Sequence, residues 1–395
     1  MNNDHTERTN EDHVALIYID HACARQLCLT YAKLQQQQDA VARALLEHGI
    51  GRGHLVADFC DDGPGLVLAI LGVLRAGATL VPLDPTQPRA RLAALLEDCR
   101  PALAVCTEAG RAGLVSRLAG GWRHISPPLV TLEDLVQVGS AIDRSLDCCW
   151  QGEALSELSH VIYTSGSTGA PKGVSCERGA LLAYARGKIE RHRVGVRSRV
   201  LLCSAHTWDP CLGDVVSTLL AGGALCTAPR GHLMHDLAAT VRAVQATHLC
   251  ATPSLLALLA ASPSQISSLE LIALGGEPLT RELARPWAAA CSTCNTYGVT
   301  EAAVYQTLYE MPAARSSQPG VVGAAVPQAL HEHEAPRGAT PACVGAAEAA
   351  GAVGPPPSPR VLPVGWPLPA VRLALCAPRV AARAGHAGRR ALALA

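Results

Sequence analysis

Short apolar runs alternate with longer amphipathic stretches along most of this 395-residue chain, and that alternation limits its fold more than any other feature. Leu55-Val56-Ala57, residues 78–83 and residues 102–106 have the length and composition of strands. Residues 65–75 and 89–99 between them read as helices. Leu29-Thr30-Tyr31-Ala32-Lys33-Leu34 opens a helix that runs to about His48. Thr30 is its expected N-cap, and Gly49, Gly51 and Gly53 follow its end. The pattern repeats further on. Residues 161–163, 200–203, 225–227, 248–251, 269–274 and 292–295 read as strands, and residues 214–221, 236–245, 254–260 and 280–290 as helices. Residues 110–152 are expected to hold a helix and a strand joined by loops. Strands alternating with helices predict α/β layers around a mostly parallel sheet.

Composition narrows the function classes. Hydrophobic residues are 49% of the chain, enough for a large core, and the formal net charge of zero gives nucleic acid and anionic membranes no general attraction. The longest apolar run, residues 66–74, is too short to span a bilayer. The polar, acidic residues 1–13 differ from a secretory or transit peptide and read as a flexible N-terminus. A cytoplasmic protein without a membrane partner is expected. The 16 cysteines form no framework, and Cys203, Cys226 and Cys250 sit in apolar segments, where cysteine acts as a small hydrophobe. Cys291 and Cys294 make a single C-x-x-C, with no second pair or histidines at zinc spacing. His331-Glu332-His333-Glu334 lacks the i, i+4 spacing of a helical metal site. Neither is read as a metal site.

One loop carries chemistry. Val161-Ile162-Tyr163 leads into Thr164-Ser165-Gly166-Ser167-Thr168-Gly169-Ala170-Pro171-Lys172-Gly173. Glycines let a backbone approach a ligand closely, and successive N–H groups can then cradle anionic oxygens. The hydroxyls of Ser165, Ser167 and Thr168 and the ammonium of Lys172 suit phosphate. A Walker loop has glycine before its lysine and Ser or Thr after it; here Pro171 precedes Lys172 and Gly173 follows. A flexible linker shares this composition. However, a strand leads straight in, and the loop is closed by one of only three lysines, Lys33, Lys172 and Lys188.

The run Tyr-Thr-Ser-Gly-Ser-Thr-Gly-x-Pro-Lys-Gly resembles the phosphate loop of the adenylate-forming (AMP-binding) superfamily. That superfamily includes acyl-CoA synthetases, luciferases and the adenylation domains of nonribosomal peptide synthetases. Asn295-Thr296-Tyr297-Gly298-Val299-Thr300-Glu301 is similar to the family's Asn-x-Tyr-Gly-Pro-Thr-Glu, with Val299 in place of proline. The types fit tasks: Tyr297 can stack on adenine, Asn295 can bond its edge, Thr300 can donate to the α-phosphate, and Glu301 is a hard oxygen ligand for Mg²⁺. Leu274-Gly275-Gly276-Glu277-Pro278 looks like the stretch whose backbone carbonyls accept the adenine amino group. The resemblance therefore implies ATP on Thr164, Ser165, Gly166, Ser167, Thr168, Gly169, Lys172, Gly275, Gly276, Glu277, Asn295, Tyr297, Gly298 and Thr300. It implies catalytic roles for Lys172, Thr300 and Glu301, with Glu301 holding the metal.

His206-Thr207-Trp208-Asp209-Pro210-Cys211-Leu212-Gly213-Asp214 is nearest to peptide-synthetase adenylation domains, which usually have Phe-Asp here. That aspartate pairs with the α-amino group of an amino acid, and a buried carboxylate needs such a cation. Asp209 takes its place, although capping the following helix is an alternative. By resemblance the substrate pocket comprises Asp209, Pro210, Gly213, Ser254, Ile272, Leu274, Thr296, Val304 and Tyr305. The implied reaction joins a carboxylic acid, best an amino acid, to ATP, giving acyl-adenylate and pyrophosphate. ATP and Mg²⁺ are the implied cofactors, and a separate carrier protein or CoA the thiol acceptor. An acyl-CoA or aryl-acid ligase and an inactive nucleotide-binding remnant stay open.

The resemblance also implies a fold. It is a large N-terminal domain of two layered α/β subdomains, with the β-rich subdomain and small C-terminal domain incomplete or missing. Residues 14–310 would be the adenylation core. From about Met311, Ala, Gly, Pro and Arg dominate, and Pro355-Pro356-Pro357 cannot join a helix. Residues 311–362 read as disordered or inserted. Residues 363–395, with Val364-Gly365-Trp366-Pro367-Leu368, resemble a truncated start of the β-rich subdomain. No lysine follows Lys188 and no aspartate follows Asp236, so the family's C-terminal lysine and ribose-binding aspartate have no counterpart here. The expectation is a chain that binds nucleotide but adenylates poorly.

Overall fold

Helices and strands do alternate, and they resolve into two sheets. The computed structural model describes residues 12–21, 25–118, 127–146, 152–165, 171–312 and 366–367. The chain enters through β1 (Val14–Asp20), β2 (Arg25–Thr30) and α1 (Tyr31–Glu47). Then follow β3 (Leu55–Asp58), α2 (Pro64–Arg75), β4 (Thr79–Pro82), α3 (Arg89–Cys99), β5 (Leu103–Cys106), α4 (Glu108–Leu118), β6 (Leu129–Thr131) and α5 (Leu132–Ser140). β7 (Leu158–Thr164) and β8 (Lys172–Glu177) lead to α6 (Arg178–His192), β9 (Arg199–Leu201), α7 (Asp209–Leu220) and β10 (Ala224–Thr227). The remainder is α8 (Arg230–His235), α9 (Leu237–Val244), β11 (His248–Ala251), α10 (Pro253–Ala257), β12 (Leu271–Leu274), α11 (Arg281–Ala288), β13 (Ser292–Tyr297), β14 (Thr307–Glu310) and β15 (Trp366–Pro367).

Among the described residues one sheet has six strands, in the order β6-β5-β3-β4-β7-β8, and the other nine, β15-β14-β13-β12-β11-β9-β10-β1-β2. Pairing is parallel in the middle of each. It turns antiparallel at the margins, in β7/β8, β1/β2, β13/β14 and β14/β15. This is the layered α/β arrangement that the alternation demands.

Local chemistry explains the boundaries. Thr30 Oγ1 accepts the Lys33 N–H at 3.3 Å and caps α1. The segment before it, expected to belong to the helix, is β2, because Leu29 pairs with Leu16. α1 buries Leu34, Val41 and Leu45, each worth about 1.5–3 kcal/mol. They join a core with Leu66 and Ile70 of α2, Leu80 of β4, Leu212 of α7 and Leu225 of β10. α7 begins at Asp209, five residues before the expected start, because Pro210 suits a first helical turn. α6 has no clear sequence signal. Its buried set includes Arg178, Lys188 and His192, so no apolar stripe marks its inner face. Residues 110–152 hold parts of α4 and all of β6 and α5, one helix more than expected. Residues 313–362 of the low-complexity segment and the expected β-rich remnant lie outside the described residues, except Trp366–Pro367, which pairs with β14. Among the described residues no helix is long and apolar enough to cross a membrane.

Candidate active site

A cleft of about 310 Å³ opens where the end of β7 meets the C-terminal ends of the nine-stranded sheet. Ligands of open α/β sheets settle beyond the carboxyl ends of the strands. Thr164 and Ser165 come from β7 and its exit, and Asp209 and Pro210 from the first turn of α7. Gly275 and Gly276 follow β12, and Thr296, Gly298, Thr300, Glu301, Val304 and Tyr305 come from β13 and the turn after it. Motifs scattered over a hundred and more positions thus converge on one hollow.

Asp209 is its electrostatic centre. The residue is 2% exposed. Its carboxylate accepts the Val304 N–H at 3.2 Å and hydrogen-bonds the Thr300 side chain. Burial raises its pKa to about 6, those bonds oppose the rise, and the Glu301 carboxylate nearby adds to it. Two carboxylates sharing a cleft favour a cation. The helix-cap alternative for Asp209 is not what the structure shows: Asp209 is the first residue of α7, Trp208 takes the cap position, and the Asp209 carboxylate accepts from the Val304 N–H.

The turn after β13 is held in an unusual shape. Ala303 and Val304 have φ of 64° and 68°. A β-branched residue there is a genuine outlier, and such strain persists only where surroundings enforce it. Gln306, which no sequence motif singles out, supplies part of that enforcement. Its side-chain carbonyl accepts the Val299 N–H at 3.0 Å, and its amide donates to the Ala302 carbonyl at 2.9 Å. After β12, Gly276 has φ 82°, and a Cβ there would lie 2.7 Å from the Trp208 ring. Only glycine combines that conformation with that approach.

The structure places other expected residues elsewhere. Ile272 and Leu274 point to the far face of the sheet, into the core with Leu249 and Trp287. Side chains alternate along a strand, so Ala273 and Gly275 line the cleft instead, joined by Cys250 and Ala251 of β11. Ser254 also leaves the cleft: its N–H donates at 3.0 Å to Glu277 Oε2, which the Ser254 hydroxyl also reaches. Glu277 is engaged there and does not line the cleft either. Gly213 is buried against Tyr184, and Asn295 is 5% exposed inside the sheet. Tyr297, 53% exposed, ends β13 between the cleft residues Thr296 and Gly298 and does not itself line the cleft. Lys172 is exposed and opens β8 opposite Thr164, and β8 contacts the Thr300–Ala302 turn. Gly166, Ser167, Thr168 and Gly169, like His331 and His333, lie outside the described residues. Among the described residues no group of three His, Cys, Asp or Glu side chains is placed to hold a metal alone.

The sequence model of the AMP-binding enzyme family matches residues 3–332. The chain belongs to this family. Among curated relatives, this AMP-binding chain is 33% identical over 277 residues to nonribosomal peptide synthetase 8 of Aspergillus fumigatus, covering 70% of the chain and 3% of that protein. It is 32% identical over 310 residues to nonribosomal peptide synthetase sidE of the same organism, covering 78% of the chain and 14% of that protein. The chain thus spans a small fraction of the curated relatives it matches. Among solved structures, the N-terminal subdomain of Klebsiella oxytoca NpsA, in complex with 3-hydroxybenzoyl-AMSN, superposes with a TM-score of 0.67 at 20% identity. That match covers 91% of this chain and 77% of NpsA's. A four-domain nonribosomal peptide synthetase bound to AMP and glycine superposes at 0.61 and 26% identity, covering 78% and 22%.

Proposed function

We propose that this chain binds ATP and an amino acid and joins them as an aminoacyl-adenylate, releasing pyrophosphate. The observation that carries the reading is Asp209, a buried carboxylate in the same cleft as Thr164, Ser165 and Glu301. A substrate ammonium is the cation that cleft asks for. The 26%-identical neighbour bound to AMP and glycine supports the same pairing of ligands.

The roles follow from position. Thr164, Ser165 and Lys172 at the β7/β8 end would hold the outer phosphates, together with residues 166–169. Tyr297, exposed at the end of β13, would cover adenine, and the chain after β12 would meet its edge. Asp209 holds the ammonium, which aims the carboxylate at the α-phosphorus. Most of the catalytic gain would come from this positioning and from charge complementarity. The donor set fits Mg²⁺ only with ligand oxygens added: Glu301 is one hard carboxylate, and Mg²⁺ commonly completes its shell with phosphates and water. Bound there, the ion would neutralise phosphate charge. A thiol acceptor, carrier-borne pantetheine or CoA, would come from outside the described residues.

ATP–pyrophosphate exchange with amino, fatty and aryl acids, paired with calorimetric binding of each acid, tests the reading. Response to one or a few free amino acids is expected. Preference for fatty or aryl acids over every amino acid would replace it with an acyl-CoA or aryl-acid ligase. Nucleotide binding without any acid would leave a nucleotide-binding remnant.

A further inference from the structure

α6 and α7 pack together, with a charged pair buried between them beside Tyr305 and Cys250. Lys188 is 1% exposed and Asp214 is fully enclosed, and Lys188 Nζ donates to Asp214 Oδ1. Burial pushes the ammonium toward neutrality and the Asp214 carboxylate opposes it; the net shift is upward, so the lysine is charged. Asp214 Oδ2 has no hydrogen-bond partner among the described residues. Such a pair is a poor stabilising device, because apolar side chains of equal volume are often as good or better. A half-satisfied carboxylate makes it poorer still.

Its location points to another task. Tyr305 and Cys250 form the cleft wall on this side. The Tyr305 ring has the Lys188 ammonium 5.7 Å from its centroid, Tyr184 edge-on at 5.0 Å and His192 stacked at 5.9 Å. The Tyr305 hydroxyl and His192 Nε2 are 2.9 Å apart, and His192 is in turn bonded through its carbonyl to His248 Nε2 at 2.9 Å. Gly213 leaves room for Tyr184: a Cβ at 213 would lie 2.6 Å from Tyr184 Cε1. Lys188 and Asp214 do not line the cleft. They brace a residue that does.

We propose that the buried Lys188–Asp214 pair is a specificity-positioning device: acting through Tyr305, it fixes the depth of the side-chain end of the cleft and limits the length of amino-acid side chain accepted. This rests on the amino-acid reading above. The test uses the full chain with a non-hydrolysable ATP analogue and calorimetric titration of glycine, alanine, 2-aminobutyrate, norvaline and norleucine. In the parent, affinity should fall about tenfold or more at one chain length. Lys188→Met combined with Asp214→Leu removes both charges together and strands neither. In that variant the break should move to longer side chains, with glycine and nucleotide affinity changed less than about twofold. If the double variant does not fold, Asp214→Asn, which keeps volume and loosens the lysine, should shift the break in the same direction. A break at the same length in parent and variant would overturn the positioning role. A parent that binds nucleotide but no amino acid of any length overturns the amino-acid reading itself, and this inference with it.

Discussion

The Val304 amide donates to the Asp209 carboxylate at 3.2 Å across 95 positions of sequence. The bond joins the first turn of one helix to a strained turn after β13. It leaves the carboxylate buried and oriented toward the cleft. If the amino-acid reading holds, Asp209→Asn should keep this bond and lose the charge. Charge-assisted bonds contribute about 1.5–3 kcal/mol, so amino-acid affinity should fall roughly 10- to 150-fold. ATP affinity should stay near parental. Calorimetry with both ligands checks this; equal losses for both would show that Asp209 only maintains the fold.

Amino-acid binding should strengthen as pH rises through about 6, the raised pKa of Asp209. One pH unit below it, about a tenth of the carboxylate is ionised, so affinity at pH 5 should be roughly tenfold below that at pH 7. The stability effect runs the opposite way. A carboxyl raised in the folded state is easier to keep protonated there than in the unfolded chain. Its contribution therefore falls as pH rises from about 4 to about 6 and is flat above. Affinity that stays level between pH 5 and 7 would remove Asp209 from the ammonium site.

Lys172→Ala should weaken ATP binding by about 10- to 150-fold through lost charge-assisted bonds to phosphate. The residue is exposed, so unfolding free energy should change by less than about 0.5 kcal/mol. Calorimetry and thermal melting together separate the two effects. Unchanged ATP affinity would end the phosphate assignment of this loop.

Glu301→Gln keeps shape and removes a hard oxygen ligand. Affinity for Mg·ATP should drop while affinity for metal-free ATP holds or rises, since a negative group near phosphate is gone. Parallel losses in the two titrations would assign Glu301 a structural part.

The strand parity of β12 is open to test by a pair of substitutions. Ala273→Val places new bulk on the cleft face and should cut amino-acid affinity, with larger losses for larger side chains. Ile272→Val removes a methylene from the core behind the sheet. It should cost about 0.5–1.5 kcal/mol of stability and leave the order of amino-acid preference alone. A change of preference from Ile272→Val and none from Ala273→Val would restore the sequence-based assignment.

Such particulars also mark how far the chain is legible unaided. Runs such as residues 55–57 and 248–251 signal their strands because each is buried and apolar nearly throughout. The phosphate loop and the run from Asn295 to Glu301 stand out because their residue types are unusual in combination. Ile272 and Leu274 are misplaced by sequence for a simple reason: an all-apolar strand carries no alternation to say which side chains face the cleft. Cys250 and Ala273 look like ordinary core residues in sequence, and nothing local marks them as cleft wall. α6 stays hidden because its inward face carries Arg178, Lys188 and His192, whose partners lie 26 to 113 positions away. Pairing at that range is settled by the fold, not by local preference.

At Gly298 the chain crosses the Val304–Tyr305 segment so closely that a Cβ would sit 2.0 Å from the Tyr305 Cα and 2.5 Å from the Val304 carbonyl oxygen. Backbone, unlike a rotamer, cannot step aside. For anyone redesigning this cleft to take a different acid, that crossing is a fixed point, and a library that varies Gly298 is spent on unfolded or distorted chains. The adjustable positions are Cys250 and Ala273, where the strand backbone is already satisfied by its neighbours and only side-chain volume changes.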